Sequence, residues 1–278
     1  MKLLTVSAPA ILLLTLYAGK AHIPEVIPKE ISTIGIEPKD TREDTVVFTG
    51  PAPGPGSYIA RGSHVARYAP PAEDYIDLYD KFHLGARGLS RESFLMAMQG
   101  YGELRKMGRL RNPGVLTIID YTLSSFQRRL FVIDIKSGRL LYNTYVAHGM
   151  MSGREYARKF SNAPESKESS LGFYVTMNTY TSKHGLALRL KGMERGINDN
   201  ALRRGIVLHG APYVNEHSCK RRGFMGRSEG CPAVPQGEAL SIIRAIRNGS
   251  AVFAYYPSQL YLGKSRLLAN NSKTFANR

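Results

Sequence analysis

Between Val115 and Tyr256 the chain is cut into short apolar, β-branched runs with Gly- and Ser-containing turns between them. Val115–Thr122, Arg129–Ile135, Leu140–Ala147, Leu171–Tyr180, Leu186–Leu190, Gly205–Leu208 and Ala251–Tyr256 each read as a strand. So many short strands cannot each find a helix to cover them, and the pattern predicts a mostly β fold, a β-sandwich or barrel-like assembly with flanking helices.

Helical signals frame this region. Pro71-Ala72-Glu73-Asp74 opens a helix that ends near Gly85, with proline early and acids in the first turn. A second helix starts after Ser90, a candidate N-cap, and sets Phe94, Met98, Tyr101 and Leu104 on one stripe. A short helix is expected near Asn198–Arg204. A longer one is expected over Pro235–Arg247, with Leu240, Ile243 and Ile246 facing inward and Gly249 ending it.

The domain reading follows: an export signal over 1–21, a flexible Pro/Gly-rich spacer over 22–71, a helical part over 72–112, a catalytic domain over 113–262 and a polar tail over 263–278. The signal rests on Met1-Lys2, an uncharged apolar run from Leu3 to Ala18, and small residues at Gly19 and Ala21. The spacer rests on Gly50-Pro51-Ala52-Pro53-Gly54-Pro55-Gly56, which neither helix nor strand holds; a short strand at Thr45–Thr49 is compatible with it. Export points to the periplasm or cell envelope and makes the signal the one membrane contact. The formal net charge of +16, from 38 Lys and Arg against 22 Asp and Glu, then suits anionic envelope polymers and not nucleic acid.

The chemistry concentrates in Arg203–Pro235. A short apolar strand delivers His209, Gly210 follows it, and a basic loop leads to Gly226-Arg227-Ser228-Glu229-Gly230-Cys231-Pro232. An imidazole near a thiol in a Gly-rich turn is what acyl transfer through sulfur needs: a base for the proton and backbone N–H groups for an oxyanion. Other readings stand beside it. A lone buried cysteine is more often an inert small hydrophobe. Cys219 and Cys231 form the sort of pair that an exported chain uses for a disulfide, which would silence the nucleophile. His209, His217, Cys219 and Cys231 are competent zinc ligands, but their spacing lacks the short partner intervals of structural zinc sites, and no metal is expected.

HGAPYV followed by GRSEGCPAV resembles the signature of the murein L,D-transpeptidase catalytic domain family (YkuD-like), in its GCPAV-type subfamily. Phe160-Ser161-Asn162, Ser169-Ser170-Leu171-Gly172-Phe173-Tyr174 and Gly196-Ile197-Asn198-Asp199-Asn200-Ala201 agree in the same order, and the resemblance covers about 74–256. It implies an L,D-transpeptidase fold, no cofactor and peptidoglycan stem peptides as substrate. Cys231 is then the nucleophile, His209 its base and Gly210 the carbonyl that orients the imidazole. Gly230 and Cys231 supply the oxyanion N–H groups, and Ser228 and Arg227 are candidates for holding a substrate carboxylate. The implied reaction forms 3→3 cross-links from stem tetrapeptides; a murein L,D-carboxypeptidase and a non-catalytic basic envelope-binding protein are the alternatives.

Two positions depart from many relatives, which place a histidine before the Gly-Cys pair and an arginine or asparagine two residues after the cysteine. Here they are Glu229 and Ala233. A carboxylate beside a thiol opposes thiolate formation. His148-Gly149 repeats the HG dipeptide and reads as structural. Lys220-Arg221-Arg222 reads as a basic loop, and Tyr180 and His184 as candidates for a lid.

Overall fold

The computed structural model describes residues 46–47, 73–182 and 185–269, all within one compact unit, Arg42–Arg278. The predicted export signal, the spacer apart from 46–47, His184 and the end of the tail lie outside the described residues. In chain order the elements are β1 (Val46–Val47), α1 (Glu73–Lys81), α2 (Arg91–Lys106), β2 (Val115–Asp120), β3 (Leu130–Asp134), β4 (Arg139–Thr144), β5 (Lys159–Phe160) and β6 (Gly172–Ser182). They continue with β7 (Gly185–Gly192), β8 (Val207–Ala211), α3 (Glu216–Arg222), β9 (Ala233–Pro235), α4 (Gln236–Ile246), β10 (Ala251–Tyr255), α5 (Gln259–Lys264) and α6 (Arg266–Ala269).

Eight strands make one mixed sheet in the order β4-β3-β2-β10-β6-β7-β8-β9, in which only β10–β2 and β8–β9 pair in parallel. The chain leaving β4 crosses to the far edge. There the Ala147 N–H donates to the Ala233 carbonyl at 2.8 Å and Gly149 bridges Ser228, so the sheet nearly closes into a barrel. β1 pairs with β5 outside it.

The helices seal the two faces. Ser90 caps α2, its hydroxyl accepting from the Ser93 N–H, and Phe94, Met98, Tyr101 and Leu104 are all buried, as their spacing predicts. Gly100 lets α2 approach β6: a Cβ there would sit 2.1 Å from the Phe173 ring. Phe173 in turn stacks on Phe253 with centroids 4.2 Å apart. α4 buries Ala239, Ile242, Ile243 and Ile246, so Ile243 and Ile246 face inward as expected, whereas Leu240 is 47 % exposed and Ala239 takes the inward place beside it.

Other boundaries differ for local reasons. β2 stops at Asp120, whose carboxylate accepts from the Thr122 N–H and hydroxyl and turns the chain. The helix expected near Asn198–Arg204 is a run of turns. Its polar side chains compete for the backbone: Asn198 accepts from the Glu194 N–H and Asp199 from the Gly196 N–H. The basic loop after His209 is instead α3, capped by Asn215 and ended by Gly223 at φ 69°. The tail is not polar from its start, because α6 buries Leu267 and Leu268.

Candidate active site

β8 carries the imidazole. The strand starts two residues later than the sequence suggests and runs through Ala211, so His209 sits at its centre, paired on one side with Ala187 of β7 and on the other with Ala233 of β9. Paired residues project to the same face. Leu208 turns into the core, while His209 turns to the opposite face and is 8 % exposed. The Nδ1 atom lies 2.9 Å from the carbonyl oxygen of its neighbour Gly210. A carbonyl only accepts, so Nδ1 carries the proton and Nε2 carries the lone pair. Gly210 is required for space: a Cβ there would lie 2.8 Å from the Ala239 Cβ and 2.9 Å from the Gln236 Oε1 of α4.

Cys231 lies two residues before Ala233, in the bend that leads into β9, the strand that pairs with β8. The turn that delivers the thiol is tied to itself. Ser228 Oγ accepts from the Gly230 N–H at 3.1 Å and donates to the Cys231 carbonyl at 2.6 Å. Gly230 has φ 118°, and a side chain there would press on the Glu168 carbonyl, 2.8 Å from a Cβ.

The thiol is partly buried, and its sulfur lies 3.8 Å from the Gly205 carbonyl. Burial pushes its pKa up; the Val207 backbone amide and the Arg204 guanidinium pull it down, and the Glu229 carboxylate pushes it up again. The net direction is upward, so at neutral pH the group is a thiol and needs a base. Glu229 acts from the surface, where it pairs with Lys167 at 3.2 Å.

Arg204 is the residue that reading by motif missed. Its Nη1 donates to the Ser161 carbonyl at 2.6 Å and the Ser170 hydroxyl at 3.1 Å. Its Nη2 donates to the Glu168 carbonyl at 2.6 Å and the Ser166 hydroxyl at 3.1 Å. It thereby straps the 161–170 loop against Gly230, with a positive charge beside the thiol. The FSN and SSLGFY segments that carried the resemblance flank this strap; the sequence held the signal without saying which cation they fold around.

The remaining candidates separate. Ser228 is buried and both hydrogen bonds of its hydroxyl stay inside the turn, so it builds the nucleophile loop and does not face a ligand. Arg227 points away: its Nη1 donates to the Met150 and Gly153 carbonyls, each at 2.9 Å, and its guanidinium lies over Phe224. Of the two expected oxyanion donors, the Gly230 N–H is taken by Ser228. Among the described residues no hydrogen bond takes the Cys231 N–H.

His148 is fully buried, and its Nδ1 accepts from Arg129 Nη2 at 2.7 Å, which fixes it as a structural group. Burial and that guanidinium hold its pKa well below the usual histidine range, while burial lowers Arg129 to about 10. Both cysteines are free. Cys219 is buried on α3 with its sulfur 3.4 Å from the Met225 sulfur, in a small cluster apart from Cys231. The described residues contain no group of three His, Cys, Asp or Glu placed to hold a metal.

A model of the L,D-transpeptidase catalytic domain matches residues 86–255, more than half of the chain. Solved structures with a similar fold include an L,D-transpeptidase from Mycobacterium smegmatis, 14 % identical over 51 % of this chain and 59 % of that one, with a TM-score of 0.33. L,D-transpeptidase 3 from Mycobacterium tuberculosis in complex with a faropenem-derived adduct is 14 % identical over 51 % and 60 %, with a TM-score of 0.34. The L,D-transpeptidase from Xylanimonas cellulosilytica is 13 % identical over 68 % and 97 %, with a TM-score of 0.30. The chain thus spans about six-tenths of the length of the first of these relatives. A search of curated proteins finds no match.

Proposed function

The chain belongs to the L,D-transpeptidase catalytic domain family, and from that premise we propose that it is a peptidoglycan L,D-transpeptidase of the GCPAV type, working through Cys231 and His209. The observation that carries the proposal is the His209 imidazole with its tautomer fixed by the Gly210 carbonyl, on a strand paired with the one that the Cys231 turn leads into.

In the proposed reaction His209 Nε2 takes the Cys231 proton as the sulfur attacks the carbonyl carbon of the third stem-peptide residue. The new C–S bond leaves a tetrahedral oxyanion facing the Cys231 N–H. The oxyanion collapses, the amide C–N bond breaks, and the imidazolium returns its proton to the amine of the departing D-alanine. An acceptor amine from a second stem then attacks the thioester, gives its proton to His209 and expels the thiol, leaving a 3→3 cross-link. Water in place of that amine makes the same site an L,D-carboxypeptidase. The chemistry calls on no cofactor. The expected export signal places the enzyme in the cell envelope, where the basic surface meets anionic polymers.

Mass analysis of muropeptides after incubation with disaccharide-tetrapeptide tests the reading. Dimers lacking one D-alanine are expected. Trimmed monomers alone would replace transfer by hydrolysis, and an unchanged substrate would remove the proposal.

A further inference from the structure

We infer that Arg189, held on edge by Tyr180, is the group that receives a substrate carboxylate in this cleft; the inference rests on reading Cys231 and His209 as the reacting pair. The strand register places it. Ala187 pairs with His209 and Arg189 pairs with Val207, so His209 and Arg189 share a face of the sheet. On the other side of β7, Tyr180 pairs with Ala187 and lies on that face too. The Val207 backbone amide acts on the Cys231 sulfur, which puts the thiol next to the residue that pairs with Arg189. One row across the sheet therefore reads Arg189, Val207, and the next reads Tyr180, Ala187, His209, Ala233. With strands about 4.8 Å apart, the Arg189 backbone stands one strand from Val207, whose amide acts on the nucleophile.

The guanidinium carbon of Arg189 lies 4.3 Å from the Tyr180 ring centroid, and both side chains are half-buried. Stacking fixes the plane of the guanidinium and leaves its N–H edge unspent. No described carboxylate, carbonyl or hydroxyl accepts from it. Arg129, Arg204 and Arg227 by contrast each donate to two or more acceptors of the fold, while Arg158, the remaining partly buried arginine, also lies over a tyrosine, Tyr156, at 5.6 Å. A planar, pre-oriented fork with no acceptor among the described residues, on the face that carries the imidazole, fits a planar anion. The stem-peptide donor offers that chemistry in two places, the distal carboxylate of a diamino-diacid side chain and the C-terminal carboxylate of the leaving residue.

Binding separates the inference from the reaction. Calorimetry is run on Cys231→Ala and on Cys231→Ala with Arg189→Gln, using the tetrapeptide donor, the donor amidated at the distal carboxylate and the donor amidated at the C-terminus. The unmodified donor is expected to bind the Arg189→Gln protein about 10- to 100-fold more weakly. One of the two amidations should cost the Arg189 protein the same factor and cost the Arg189→Gln protein nothing further; which one identifies the carboxylate. Arg189→Lys, which keeps the charge without the fork, should recover part of the loss. Equal penalties for amidation with and without Arg189, or no donor binding by Cys231→Ala, would overturn the inference. Donor binding without turnover by the Cys231 enzyme would instead overturn the proposed reaction and leave Arg189 in place.

Discussion

The Gly210 carbonyl and the His209 Nδ1 face each other at 2.9 Å, so the residue that follows the base also fixes which of its nitrogens holds the proton. On the proposed mechanism that contact leaves Nε2 for the thiol. Replacing the imidazole by His209→Gln is expected to lower kcat/KM by about 10²- to 10⁴-fold, the usual worth of a positioned general base. Gly210→Ala should cost about 1–3 kcal/mol of stability, because the new methyl meets α4 and a well-packed core resists insertion. Denaturant unfolding of Gly210→Ala and steady-state rates of His209→Gln check the pair. A Gln variant of full activity would remove His209 from the chemistry.

Arg204 gives the thiol a pH signature. Burial raises the Cys231 pKa and the guanidinium partly offsets that rise. Removing the charge should move the titration further up. In Arg204→Met the midpoint of iodoacetamide alkylation of Cys231 against pH is therefore expected at higher pH than in the parent, with Cys219 slow in both because it is buried. A purely mechanical strap would loosen the loop and leave the midpoint where it was.

Glu194 ties the C-terminal helices to the sheet. Its carboxylate accepts from the Phe173 N–H at 2.7 Å, from the Tyr261 hydroxyl at 3.2 Å and from the Ser265 hydroxyl. Burial raises its pKa from 4.5 to about 7 in spite of these bonds. The folded chain holds this proton more tightly than the unfolded one, so the contribution is complete below about 4.5 and is lost as pH rises to about 7. Glu194→Gln should flatten the fall of Tm across that window; an unchanged slope would mean that the carboxylate does not titrate there.

The strand run from Val115 to Tyr256 was legible because alternation and turn residues report local geometry, and Ser90 and the α2 stripe were legible for the same reason. The placement of Leu240 was not, since inward and outward positions on a short amphipathic helix differ by a single residue. α3 carried readable marks, Asn215 as cap and Gly223 as stop, that the run of cations obscured. Motif letters proposed Cys231, His209 and Gly210, and the structure gives Gly210 its contact with the imidazole. They proposed Ser228 and Arg227 for a ligand because adjacency in sequence looks like adjacency to substrate; in the fold the Ser228 hydroxyl bonds within the turn that holds Cys231, and Arg227 Nη1 bonds the Met150 and Gly153 carbonyls. Arg204 and Arg189 were invisible as site residues, because only strand register and the path of the 161–170 loop bring them to the cleft.

The central claim is a thioester on Cys231, and intact-protein mass spectrometry after brief incubation with the tetrapeptide donor tests it most directly. The account predicts a covalent adduct equal to the donor minus D-alanine, mapped to Cys231 and absent from Cys231→Ala. Release of D-alanine by Cys231→Ala at the parental rate, or an adduct mapped to any other residue, would contradict it.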